Sequence, residues 1–231
     1  MSEHRPVKPV AQADRRGAEL ARAGEAAAKE WWRRVPRVVT APRGVFEALS
    51  VTDEIDVDAR SEPVLAITIL AGIAGVLLAP AWGTIMDDSS VDAVVVVVVT
   101  FIAGLFYGAA GYFLLGLAVW LGAKAVGIHP PFRAARQLVG FSAVPLALSL
   151  VALVPVITIG FGEDWFRSGG ADEGTGEVLV IGIGLVFAMW CVALVALGLR
   201  TAFRLPWLGV VGALALAAVI VAALFVLPEV P

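Results

Sequence analysis

Catalysis asks for a nucleophile, a proton-transfer pair or a set of metal ligands, and this chain offers few of them. Its histidines are His4 and His129, and Cys191 is its single cysteine. The histidines lie far apart, the second just ahead of Pro130-Pro131, so no pair has metal-ligand spacing. One cysteine forms no intramolecular disulfide and no thiolate cluster. No nucleophile elbow and no phosphate-cradling loop occurs. Carboxylates gather twice, at Asp87, Asp88 and Asp92, and again at Glu163, Asp164, Asp172, Glu173 and Glu177. Such groups can hold a divalent cation weakly. Gly169, Gly170, Gly174 and Gly176 make the second group read as a solvated, flexible loop instead. No catalysis, no cofactor and no metal site is therefore expected.

The elements that carry the remaining residues are apolar and long. A bilayer core of about 30 Å needs roughly 20 apolar residues at about 1.5 Å rise each. Five segments qualify, approximately 63–86, 93–123, 137–162, 178–199 and 205–228, and none contains Asp, Glu, Lys, Arg or His. Hydrophobic residues make up 59% of the chain and the mean hydropathy is +0.88. The expected fold is all-α: a polytopic membrane helix bundle with five transmembrane helices, preceded by cytoplasmic or interfacial helices. Residues 1–39 read as a cytoplasmic region, partly helical or disordered, and residues 40–231 as the membrane domain.

Charge fixes the orientation. Read as single spans, the segments leave sixteen of the seventeen Lys and Arg residues on one side. Eleven precede Pro63, and the connections after the second and fourth segments carry Lys124, Arg133 and Arg136, then Arg200 and Arg204. Arg167 is the one cation among the opposite, acidic connections. Basic loops stay inside, which predicts a multi-pass cell-membrane protein with its N-terminus cytoplasmic and its C-terminus extracytoplasmic. Dividing the long second segment into a hairpin would destroy this pattern. Residues 1–62 contain no apolar run, so the first span is expected to double as the targeting signal. Fourteen Arg against three Lys, with abundant Ala and Val, suggest a bacterial coding bias.

Residues 11–32 read as a polar helix, with i,i+4 pairs Arg15–Glu19 and Glu25–Lys29 and no broad apolar stripe. Such a helix is solvated or is a docking surface. Trp31, Trp32, Arg33 and Arg34 follow, suited to anchor at an anionic leaflet. Thr40 as N-cap, Pro42 in the first turn, and Val45, Phe46 and Leu49 on one face describe a short amphipathic interfacial helix. The acidic run 53–62 reads as an exposed connection.

Within the second segment Thr100, Gly104, Gly108, Gly111 and Leu115 share one face, flanked by Tyr107 and Tyr112. Glycines at four-residue spacing admit another backbone, so this is a close-approach face whose commoner role is intramolecular packing. In the third segment Pro145 and Pro155 each remove a helix hydrogen bond, which predicts kinks near Phe141 or Val151. Among polar groups near the midplane only Ser142, Ser149, Thr158 and the two tyrosines are available, which argues against a proton relay or ion-coupled pump.

The stretch from Gly127 to Ser149 resembles the signature of the Yip1 family: a glycine, a short basic loop with Phe-Arg, a Gly-aromatic pair and a Pro-Leu within the third helix. The matching positions are Gly127, Phe132, Arg133, Gly140, Phe141, Pro145 and Leu146. Pro42 and Phe46 resemble the Pro-x-x-x-Phe helix ahead of the first span in bacterial members. The likeness runs from about Thr40 to Val226. It implies five spans with a cytoplasmic N-terminus. Eukaryotic members are associated with vesicle traffic and prenylated small GTPases, but the acidic Asp-Leu-Tyr-Gly-Pro box is replaced here by Ser61-Glu62-Pro63, so architecture transfers and that role does not.

Two functions are consistent with these features. One is a membrane scaffold or adaptor that meets lipid, recruits a cytoplasmic protein through residues 1–62, or assembles as a homo- or hetero-oligomer. The alternative is a permease-like protein that handles a lipid or small apolar solute beside the kinked third helix. Nucleic acid is not an expected partner.

Overall fold

Apolar segments in lipid must satisfy their backbone internally, and here they do so as helices. The computed structural model describes residues 9–50, 54–78, 80–170 and 174–226, with side chains described between Gly17 and Val219 except at 79–83. His4, Asp53, Asp172 and Glu173 lie outside those residues. No strand occurs among them. Four helices precede or lead into the membrane domain: α1 (Pro9–Arg34), α2 (Arg37–Thr40), α3 (Pro42–Ala48) and α4 (Glu54–Ala59). The bundle consists of α5 (Ser61–Leu77), α6 (Ala93–Ala125), α7 (Phe132–Ser142), α8 (Val144–Pro155), α9 (Thr175–Ala202) and α10 (Trp207–Val226).

Four stretches, Glu54–Leu77, Ala93–Ala125, Phe132–Phe166 and Thr175–Ala202, are long and apolar enough to cross a membrane. The apolar, 20-residue α10 supplies the remaining helix of the expected five. The long second segment is one helix of 33 residues rather than a hairpin. Asp92 starts it: its carboxylate accepts the Val95 amide at 2.9 Å, capping the helix where the dipole favours negative charge. The first segment is shorter than the expected 63–86, because α5 ends at Leu77 and Pro80–Asp87 wind as a 3-10 turn.

The two prolines break the third segment differently. Pro145 has no amide to donate to Phe141, and the helix divides at Ala143, with Pro145 in the first turn of α8. Pro155 closes α8, and Val156–Phe161 continue as a π-helical turn, a common way of absorbing a lost i→i−4 bond.

In the bundle α5 packs on α6 and α8, α8 on α9, and α6 on α7 and α10. The alternation of helix direction gathers the basic connections at one end, beside α1–α4. Arg133 after α6 meets Asp58 of α4, and α3 packs on α9. The acidic connections meet at the other end, where the Ser168 amide and hydroxyl donate to the Asp87 carboxylate at 2.8 and 2.6 Å.

The helices ahead of the bundle differ from expectation. Trp31 and Phe46 are fully enclosed, forming one core with Val38, Val45, Leu49, Leu138 and Phe141. The apolar face of α3 therefore covers α9 rather than lipid, because protein packing offers that face denser contact than a headgroup layer does. The acidic run 54–59 is a helix, not an exposed connection, and it holds α1 in place.

Candidate functional site

Two arrangements bring the singled-out residues together: a polar junction at the basic end and a cleft beside the α7–α8 break. The junction forms around Trp31, whose indole N–H donates to Asp56 Oδ1 at 2.8 Å. Arg60, 1% exposed, pairs with the same carboxylate at 3.0 Å and donates to the Leu49 carbonyl at 3.0 Å. A guanidinium survives burial only with such partners. Arg34 and Arg60 lie 4.5 and 5.1 Å from the Trp31 ring centroid, and Phe141 packs on the same ring at 5.2 Å. Arg34 also pairs with Glu30 at 3.4 Å. Trp31 thus faces protein, while Trp32 and Arg33 are exposed.

Arg133 donates to Asp58 and, at 3.1 Å, to the Ser61 hydroxyl, and buried Gln137 donates to the Val57 carbonyl at 3.0 Å. Phe132 meets Trp120 edge-on at 5.7 Å, and Trp120 donates to the Pro130 carbonyl at 3.0 Å. Gly127 turns the chain after α6 with φ +88°, a conformation that side chains resist. Pro42 starts α3. Arg133 and Phe141 therefore fasten α7 to the helices ahead of the bundle, while Phe132 and Gly140 pack it on α6 and α5.

The cleft, about 460 Å³, lies between α5, α6 and the α7–α8 break. Tyr107, Gly108, Gly111, Tyr112, Ala143 and Leu146 line it. The glycines divide in role. A Cβ on Gly104 would enter Ile73, and one on Gly108 would strike the Thr68 carbonyl, so these two seat α5 directly on α6. Gly111 meets nothing within 4 Å and leaves the cleft open instead of packing. Tyr107 is 66% exposed at its rim, and Tyr112 stands edge-on to Phe113 at 5.4 Å. Gly140 receives Val64 where a Cβ would lie 2.5 Å from Cγ1, and Pro145 is buried.

Sequence reasoning missed Gly72, whose Cβ would collide with the Gly104 carbonyl and the Gly108 amide. Its signal was the four-residue spacing from Thr68, the partner of Gly108. Gly122 against Ala213 of α10 and Gly116 against Arg136 were missed as well. Among the described residues no group of His, Cys, Asp and Glu is placed to hold a metal ion.

Membrane-length helices joined by alternating basic and acidic connections, with short helices keyed onto one end, define a polytopic integral membrane protein. The family model described as the Yip1 domain matches residues 37–228, and the chain belongs to that family. No curated protein and no solved structure matches the chain significantly.

Proposed function

We propose that the chain is a scaffold or adaptor of the cell membrane, without catalysis, whose N-terminal helices face the cytoplasm and receive a protein partner. The observation that carries this reading is the contrast within α1. Its last turns are fixed by Trp31, Asp56 and Arg60, whereas every residue from Gly17 to Ala23 is exposed, with Glu19 and Arg22 flanking an uncovered Leu20. A helix held by one end keeps its uncovered turns presented to the same side. The collection of basic connections on the α1–α4 side supports this orientation. Reporter fusions at Pro130 and Thr201 should read cytoplasmic, and a C-terminal phosphatase fusion should be active.

Crosslinking mass spectrometry on native membranes tests recruitment. Deleting residues 1–24 spares Trp31 and Val38, which belong to the core, and should remove a stoichiometric partner. An unchanged set of crosslinked partners would sink the proposal.

The cleft favours a second reading, a permease-like role toward a lipid or small apolar solute. Its position at the α7–α8 break joins an apolar cavity to a hinge, as binding sites at interrupted helices do in carriers. Replacing Pro145 and Pro155 with Ala should abolish transfer in reconstituted vesicles; full retention counts against it.

A further inference from the structure

At the basic end of the α5–α6 seam a second cleft of about 430 Å³ opens between α5, α6 and α7. Ser61, Arg133 and Arg136 supply its polar lining, and Leu65, Ala109 and Phe113 its apolar walls. Thr68 and Tyr112 line both this cleft and the glycine-walled one, so a polar mouth continues into an apolar slot.

The two arginines differ. Arg133 is engaged by Asp58 and Ser61. Arg136 belongs to none of the ion pairs among the described residues. Its guanidinium carbon lies 4.6 Å from the Phe113 ring centroid, 4.8 Å from Phe132 and 5.3 Å from Tyr112. Its stem packs on Gly116, and its Nε is shielded from solvent without a hydrogen-bond partner. Three rings hold the half-buried group in one place, but rings accept a cation's charge only weakly compared with an anion. A planar fork of donors held this way is half of a bidentate phosphate site.

We infer that the cleft binds one anionic phospholipid, its phosphate on Arg136 and one acyl chain lying past Leu65 and Ala109 toward the Thr68–Tyr112 slot. Charge selects the headgroup, and the continuous apolar slot selects a tailed anion over a free one. This holds whether the protein acts as scaffold or permease.

The test is native mass spectrometry of the full-length protein in detergent, titrated with phosphatidylglycerol or phosphatidylcholine. Phosphatidylglycerol should bind the more tightly. Arg136→Gln should weaken it about tenfold or more, the size of a lost hydrogen bond to a charged group. Ala109→Trp, which fills the slot and leaves the guanidinium, should weaken phosphatidylglycerol as well and decides the matter if Arg136→Gln does not fold. Equal retention of both lipids, or unchanged phosphatidylglycerol binding in either folded variant, overturns the inference. Displacement by inorganic phosphate would also overturn it, by assigning the site to a free anion.

Discussion

At the basic end of the bundle Trp31, Phe46 and Phe141 are fully enclosed and Arg60 and Gln137 are buried with hydrogen-bond partners, whereas at the acidic end the carboxylates of Asp87 and Asp88 sit at the surface. The glycines repeat the contrast. Gly116, Gly122 and Gly140 are walled by neighbouring helices, but Gly160, Gly162 and Gly169 meet nothing within 4 Å. The basic end buries charged and amide groups that demand particular partners; the acidic end has an apolar core of Leu153, Ile157, Trp165 and Val180, and its polar ties are solvated hydrogen bonds. Stability should therefore be concentrated at the basic end, with more freedom left in the acidic connections.

Arg60→Ala is the strongest way to break this contrast. It strips Asp56 and the Leu49 carbonyl of a partner in a buried setting, which costs about 3–5 kcal/mol for a broken buried pair. The thermal unfolding midpoint in detergent should fall sharply, and α1 should become accessible to protease. An Arg60→Ala protein as resistant as the parent would mean that the two ends are held equally loosely.

Gly122→Leu comes next. The new Cβ would lie 2.5 Å from the Ala213 carbonyl oxygen, so α6 and α10 must separate, at about 1–3 kcal/mol for overpacking. Gly160→Ala, facing open space in the acidic half, should stay within about 0.5 kcal/mol. Matched unfolding curves for the two variants would erase the distinction between walled and open glycines.

Asp58→Asn sharpens the comparison within the basic end. The Arg133 and Asp58 side chains are 45% and 72% exposed, and a pair so solvated contributes at most about 1 kcal/mol. The loss should shrink further in high salt, since screening reaches within about 8 Å at physiological ionic strength. A loss as large as that of Arg60→Ala would instead make Arg133 an anchor in its own right.

Much of this was legible in the sequence. Span positions, the unbroken α6 and the gathering of basic connections follow from hydropathy and charge, which depend on composition over many residues. The break before Pro145 follows from one missing amide. Pairing was harder to read. Gly108 was recognisable as a close-approach position, but its partner Thr68 belongs to another helix, and nothing in α6 alone separates Gly108 from the open Gly111. Trp31 and Phe46 read as membrane-facing because apolar residues flanked by arginines look the same whether lipid or protein covers them. What covers them is α4 and α9, and the carboxylate of Asp56 that receives the indole was invisible as a partner.

The smallest expected effect lies at the acidic end and depends on pH. The Ser168 hydroxyl and amide hold the Asp87 carboxyl below the usual carboxylate range, with Arg167 adding a weaker pull in the same direction. A carboxyl whose folded pKa is depressed binds fewer protons in the folded state than in the unfolded one. The tie therefore contributes fully above the unfolded value of about 4 and is lost as pH falls through the lower folded value. Hydrogen exchange of the Ser168 amide should accelerate relative to neighbouring loop amides across that acid range, while the Gln137 side-chain amide at the opposite end, held by the uncharged Val57 carbonyl, stays protected. Asp87→Asn removes the titrating group, so the Ser168 amide should lose its acid-dependent step. A step that persists in Asp87→Asn would show that the acidic connections are joined through another carboxylate, and a simultaneous loosening of the Gln137 amide would show that the two ends are coupled rather than independently held.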